Sequence, residues 1–192
     1  RLTICDTIPK GNYGMDQFLI YLPGILLAYS IFLVGVANPG PNILAIIGTS
    51  MSVSRQSGVA LAQGVALGSL TWGTFSALGL SALLAKYASA LFFIKVAGGV
   101  YLIWLAYMAF KSAASVHDLE TKKLGEEQRS PLGYAISGYT IQMTNPKAAL
   151  AWIATISLGL QPGSPFWVAA AIVIGIFILS TVIHTLYAVA FS

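Results

Sequence analysis

Charged residues are scarce in this chain. Of its 192 residues only 10 are Lys or Arg and 6 are Asp or Glu, which makes 8% charged residues in all. Soluble domains carry about 25%, and so few charges do not keep a folded surface dispersed in water. With 57% hydrophobic residues and a mean hydropathy of +0.80, the chain is predicted to be an integral membrane protein in contact with lipid.

The groups that most enzymes and metal sites need are missing as well. A single cysteine, Cys5, excludes an internal disulfide and a cysteine-based metal cluster. No metal-binding HExxH motif and no phosphate-binding Walker loop occurs, and no acidic residue lies in an apolar segment. We therefore expect that the protein is not an enzyme and that it has no cofactor and no metal site. The net charge of +4 does not predict nucleic-acid binding, because basic residues of membrane proteins mainly set loop orientation.

Five apolar segments divide the chain, over residues 17–54, 59–85, 91–110, 131–160 and 166–191. A membrane span takes about 20 apolar residues, and no β pattern interrupts them, so we predict an all-α, polytopic membrane protein. Residues 111–130 form the hydrophilic stretch and, being rich in Lys, are predicted to be a cytoplasmic loop. Residues 1–14 precede Met15 and are expected to be a non-native or disordered leader; residues 15–192 are expected to form a single transmembrane domain.

The two halves of the chain match at a constant spacing. Asn38-Pro39 and Asn145-Pro146 lie 107 positions apart. The same offset carries the turn at 55–58 onto the turn at 162–165, and the segment 59–85 onto 166–192. Such matching is typical of internal repeats in transporters. We predict a bundle of 3+3 inverted repeats, with 15–110 as the first repeat and 131–192 as an incomplete second one that lacks the sixth helix.

The stretch "NPGPN", from Asn38 to Asn42, interrupts the first apolar segment. Pro39 and Pro41 break a helix, and the motif is either a helix end packed in protein or a break within the membrane. In the second case Pro41 begins a half-helix, and amide groups near Gly40 attract a carboxylate. Asn38 and Asn42 then add polar side chains, so these residues are candidates for substrate binding.

A second break is predicted in "TNPKAALAW", where Asn145 and Pro146 precede Lys147. Asn145 is a further candidate for substrate binding, where it would contact the α-ammonium group together with Asn38. Lys147 lies well inside an apolar segment, where a charge costs about 2.5 kcal/mol or more and a functional role is the default hypothesis. Its side chain is predicted to extend to the membrane interface, to bind a substrate carboxylate, or to pair with a group on the missing sixth helix.

Two further features allow more than one interpretation. His184 lies in the fifth apolar segment and is either a packing residue or a proton carrier, since histidine titrates near neutral pH. Gly64 and Gly68 form a surface of small residues that permits close helix contact. Such a surface is expected to pack against another helix, and a homo-oligomer contact is one candidate.

Four stretches together are similar to the LysE/RhtB family of amino-acid exporters: "NPGPN", "GVALAQGVALGSLTWG", "GGVYLIWLAYMAFKS" and "MTNPKAALAW". The resemblance extends from Met15 to Ser192. It implies a six-helix protein of the bacterial inner membrane that exports amino acids, driven by the membrane potential or a proton gradient. Export as opposed to import is what the resemblance implies, since composition says nothing of direction.

The expected function is therefore secondary export of an amino acid by alternating access around the two breaks. A neutral amino acid, either threonine- or homoserine-like or branched-chain, is favoured, because a cationic side chain in a low-dielectric site needs a carboxylate partner. Two alternatives stay open. One is transport of another solute such as a metal ion, and the other is a non-transporting membrane scaffold.

Overall fold

The computed structural model describes residues 13–37, 39–86, 92–93, 96–101, 103–104, 107, 111, 129–161 and 163–192. Within these ranges the secondary structure is helical, without strands, which confirms the all-α prediction. The main helices are α1 (Tyr13–Ala37), α2 (Pro41–Ser52), α3 (Arg55–Lys86), α4 (Pro131–Met143), α5 (Pro146–Gly159) and α6 (Phe166–Ala190). Most of the predicted leader and of the hydrophilic loop lies outside the described residues, as do parts of the third apolar segment.

Two apolar segments are each split into a pair of helices. Pro41 is the first residue of α2, and Pro146 is the first residue of α5. Proline suits this position because it lacks an N–H that the helix start would leave unbonded. The half-helices α4 and α5 contain 13 and 14 residues, each a rise of about 20 Å. Neither half-helix therefore crosses the roughly 30 Å hydrocarbon layer alone.

The two broken helices run antiparallel to each other. At one end Gly24 lies against Gly159 so closely that a Cβ on Gly24 would collide with the Gly159 carbonyl oxygen. Near the breaks, the Asn42 side chain is hydrogen-bonded to that of Gln142. Residue numbers thus rise along α1 and α2 in the direction in which they fall along α5 and α4. The two breaks therefore lie side by side.

Among the described helices, α1 and α6 are long and apolar enough to cross a membrane. The span in α1 covers Gln17–Ala37 with a mean hydropathy of 2.2, and α6 has a value of 2.6 over its most apolar stretch. Large hydrophobic side chains are exposed on the outer face of most helices. Such a surface is stable when it faces lipid, and this agrees with the membrane prediction.

Helix α3 packs closely on α4 within the same chain. A Cβ on Gly64 would collide with the carbonyl oxygen of Ala135, and one on Gly68 would lie 2.8 Å from Cβ of Gln142. The absence of side chains here allows the two backbones to touch. The prediction of a homo-oligomer through the Gly64 and Gly68 face is therefore wrong, because α4 already covers that face.

Burial recurs at the same spacing as the sequence pattern. Every buried residue of α6 from Val168 to His184 lies 107 positions after a buried residue of α3. The ends of α2 and α5, residues 52 and 159, differ by the same 107 positions. The matched buried pairs are Leu61 and Val168, Ala62 and Ala169, Val65 and Ile172, Ala66 and Val173, Ser69 and Ile176, Gly73 and Ser180, and Ala77 and His184.

Candidate functional site

A cavity of about 100 Å³ lies where the two breaks meet. Its wall combines residues of all six helices with Gly40 and Asn145 from the breaks themselves. Apolar side chains such as Ile31, Phe32 and Trp152 make up most of the surface. The polar groups that point to this cavity are few, as in sites that bind small molecules.

Five of the predicted site residues line this one cavity. They come from both halves of the chain and from three helices and two breaks, and they are Gly40, Asn42, Asn145, Lys147 and His184. Pro39, Pro41 and Pro146 are exposed and interrupt the helices without lining the cavity. Asn38 lies outside the described residues.

Asn42 and Gln142 connect the two halves of the site. Nδ2 of Asn42 donates to Oε1 of Gln142 over 3.1 Å, and Oδ1 of Asn42 accepts from the backbone N–H of Ile43 over 3.0 Å. Trp72 Nε1 donates to the carbonyl oxygen of Gln142 over 3.2 Å. Gln142 is only 5% exposed, and the sequence analysis missed it. Its position three residues before Asn145, in an otherwise apolar stretch, was the available indication.

The N-termini of α2 and α5 differ in how they are capped. Asn145 caps α5, because its Oδ1 accepts the N–H of Lys147 over 3.0 Å. The equivalent cap of α2 is Gly40, which has no side chain to offer. Pro41 has no N–H, and the N–H of Ile43 goes to Asn42. An anion at α2 would therefore meet the amides of Gly40 and Asn42, whereas α5 is satisfied by its own cap.

Lys147 is half-buried beside the first break. A Cβ built on Gly40 would lie 3.9 Å from Nζ of Lys147, so the ammonium group is directed at that break and into the cavity wall. Tyr101 donates its hydroxyl to the Lys147 carbonyl oxygen over 3.2 Å and holds the start of α5. This geometry places the charge at the junction of the two breaks and does not match a side chain that extends along its own helix to an interface.

His184 is 2% exposed and is one of the residues that line the cavity. Its Nδ1 lies 2.8 Å from the carbonyl oxygen of Ser180 and 3.0 Å from the Ser180 hydroxyl. Because a carbonyl oxygen only accepts, Nδ1 carries the proton, and in the neutral ring Nε2 is then an acceptor. Nε2 is buried and has no hydrogen-bond partner within the described part of the chain. A residue that served packing alone would be expected to satisfy both nitrogens.

Trp152, an aromatic residue of the cavity wall, was not identified in the sequence analysis. Trp152 donates its indole N–H to the Ser69 hydroxyl over 3.0 Å, and both residues are buried. The Trp152 ring packs on Gly73, where a Cβ would lie 2.7 Å from the ring. Trp152 follows Lys147 in the quoted motif, yet only the packing of α3 on α5 shows which way its ring faces.

Comparison with known proteins agrees with this architecture. The family model described as LysE type translocator matches residues 33–192. An uncharacterized membrane protein of Escherichia coli K12, YahN, is 26% identical over 89% of this chain and 76% of its own length. A threonine efflux protein of Salmonella typhi is 28% identical over 79% of this chain and 71% of its own length. No solved structure matches.

The family match covers most of the chain, including both breaks and the polar residues of the cavity, and it confirms the resemblance drawn from the four sequence stretches. The matching relatives are membrane proteins and efflux proteins by name, in keeping with a transporter. The chain belongs to the LysE type translocator family.

Proposed function

We propose that this protein is a secondary exporter that moves a neutral amino acid across the bacterial inner membrane by alternating access. The observation that carries the proposal is that both helix breaks meet at one cavity with the Lys147 ammonium in its wall. The names of the threonine efflux relatives support an amino acid as the substrate.

The carboxylate of the substrate binds at the first break in this proposal. Lys147 supplies the opposite charge, and the amides of Gly40 and Asn42 supply hydrogen bonds at the uncapped start of α2. Charge-assisted hydrogen bonds of this kind are about twice as strong as those between neutral groups. Lys147 and the start of α2 therefore form a combined site that favours a carboxylate.

The ammonium group is assigned to polar groups at the breaks, namely Asn38, Asn145 and the carbonyl oxygens that the breaks release. Of these, Asn145 already accepts the Lys147 N–H through Oδ1 and has a second lone pair to offer. A proton site at His184 stays a prediction, and it requires Nε2, the ring nitrogen that carries the lone pair.

A neutral side chain fits the described lining better than a cationic one. None of the described residues that line the cavity is Asp or Glu, so a lysine or arginine side chain would lose hydration there without gaining a carboxylate partner. At about 100 Å³, the space is small compared with the roughly 300 Å³ or more of sites for drug-sized ligands.

Alternating access follows in this proposal from an inverted repeat. The antiparallel course of the broken helices and the recurrence of buried residues at 107 positions support two halves related by a two-fold axis in the membrane plane. Rocking one half against the other would expose the shared cavity first to one side of the membrane and then to the other.

The direct test is efflux from bacteria that lack their own exporters. Cells that express the complete gene product are loaded with a mixture of dipeptides, and the external amino acids are compared with those of cells carrying an empty vector. Selective excess of one neutral amino acid supports the proposal and identifies the substrate. If no amino acid appears in excess although the protein is in the membrane, the result contradicts amino-acid export. It then favours transport of another solute such as a metal ion, or a non-transporting scaffold.

A further inference from the structure

One acceptor among the cavity residues differs from the three amide side chains of the wall. The side-chain oxygens of Asn42, Gln142 and Asn145 each already accept a hydrogen bond within the protein, from Ile43, Asn42 and Lys147 respectively. His184 lines the same cavity, and its buried Nε2 accepts none from the residues that the structure describes. Native structures rarely leave such an atom without a partner, and a ligand that comes and goes is one of the explanations.

The orientation of the ring is built into α6. Ser180 lies one helical turn before His184, and its carbonyl oxygen takes the proton on Nδ1. That contact determines the tautomer, so the lone pair is on Nε2. Ser180 is thus the positioning residue, and it acts through its backbone, with its hydroxyl also 3.0 Å from Nδ1.

The polar groups of the cavity are distributed unequally between the two halves. Three polar residues of the second half correspond to glycine or alanine in the first half, 107 positions earlier. The pairs are Gly35 with Gln142, Gly40 with Lys147, and Ala77 with His184. Packing alone does not require a polar side chain at these positions, because small residues occupy the matching positions of the first half. The additional polar groups of the second half therefore indicate binding of a ligand.

We propose that His184 binds the substrate directly, with Nε2 accepting a hydrogen bond from the α-ammonium group. This inference rests on the proposed export of an amino acid and adds a residue and an atom to its binding site. An ammonium group has three donors, and in this cavity it finds a neutral ring acceptor in place of a carboxylate. Carboxylate recognition by Lys147 and ammonium recognition by His184 together select a zwitterion.

A consequence is that proton and substrate exclude each other at His184. Nε2 has one lone pair, which either holds a proton or accepts from the ammonium group. The predicted proton site and the proposed substrate contact are thus the same atom with two alternative occupants. Such exclusive occupancy is a simple means of exchanging a proton for an amino acid.

The first test observes Nε2 itself. The chain has two histidines, so a His117→Asn variant labelled with ¹⁵N-histidine and reconstituted in lipid reports on His184 alone. We expect unprotonated Nε2 and protonated Nδ1 at neutral pH. L-threonine and L-valine should move the Nε2 resonance. Their deamino analogues 3-hydroxybutyrate and isovalerate, which keep the carboxylate but lack the ammonium group, should not.

The second test compares two amide side chains. His184→Asn retains a donor near the position of Nδ1 but has no atom at Nε2, whereas His184→Gln places an amide oxygen near Nε2. For L-threonine and L-valine uptake into inside-out vesicles, we expect His184→Asn to raise the half-saturating concentration by about 10- to 100-fold, and His184→Gln to raise it less. Thr181→Val is the matched control, because the Thr181 hydroxyl bonds its own helix at Phe177 and lies outside the cavity.

The outcomes separate this inference from the proposed function. A proton on Nε2 in the free protein overturns it, as does an equal response to the deamino analogues. Export in cells without any response at Nε2 overturns it and leaves the exporter proposal standing. A response to the two amino acids without export supports the binding site and contradicts export. If His184→Asn transports normally while His184→Gln does not, the ring serves only to hold α6, and the proposal is wrong.

Discussion

Nδ2 of Asn42 donates a hydrogen bond of 3.1 Å to Oε1 of Gln142, a residue 100 positions further along the chain. The bond joins the start of α2 to the end of α4, next to both helix breaks. Because each side chain belongs to a different broken helix, any rocking of one against the other must stretch or break this bond. It is therefore a candidate for the contact that stabilises the state described by the structure.

A double-mutant cycle on this pair should reveal that coupling. We expect Asn42→Ala and Gln142→Ala to be less than additive in the free energy of unfolding, with an interaction of about 0.5–1.5 kcal/mol. The measurement is denaturant unfolding of the protein in mixed micelles. Thr71 and Tyr139, whose hydroxyls are 3.4 Å apart on an exposed surface, form a comparison pair that should show weaker coupling. Strict additivity for Asn42 and Gln142 would show that the two side chains do not stabilise each other.

Lys147→Ala is expected to abolish most of the transport of an amino acid. Removing the ammonium group deprives the substrate carboxylate of its counter-charge in a low-dielectric cavity, so a loss of about 10-fold or more in transport rate at low substrate concentration is expected. Lys147→Arg keeps the charge and should retain part of the activity. Lys111→Ala is the matched control, since Lys111 is exposed and does not line the cavity. Normal export by Lys147→Ala would refute the carboxylate role.

Two alanine substitutions in α3 should have opposite effects. Gly64→Ala puts a methyl group against the carbonyl oxygen of Ala135, where neither backbone has space to yield. Gly79→Ala meets nothing within 4 Å and replaces a poor helix former, a change worth up to about 1 kcal/mol in favour of the helix. We expect Gly64→Ala to lower the thermal midpoint in detergent and Gly79→Ala to leave it unchanged or raise it. Equal effects would show that α3 and α4 are not in backbone contact.

Asn145→Ala should weaken the start of α5. Loss of the side-chain acceptor for the Lys147 N–H costs about 1 kcal/mol, whereas Asn145→Ser preserves a capping oxygen and should cost less. Thermal unfolding in detergent measures both variants. Ser130→Ala, which removes the corresponding cap of α4 at Gly133, gives a comparison at an exposed helix end. If Asn145→Ser lowers both stability and transport as much as alanine does, the amide has a role beyond capping.

Composition and local chemistry were enough to predict the membrane class, the all-α fold and the sites of helix interruption. Low charge excludes a soluble surface wherever the residues lie, and the effect of Pro41 and Pro146 on a helix depends only on the neighbouring turn. The candidate residues Asn42, Asn145, Lys147 and His184 were likewise accessible from the sequence, because polar groups are rare in these apolar segments.

Which surfaces meet was decided by the tertiary structure alone. Gly64 packs on Ala135 of the same chain and not on a second copy, Gln142 bonds Asn42, and His184 joins the wall of the cavity. Each of these contacts depends on how helices cross, and some join residues about 100 positions apart. A pattern of small or polar residues shows that a helix face can be approached closely, but the crossing of helices determines what approaches it.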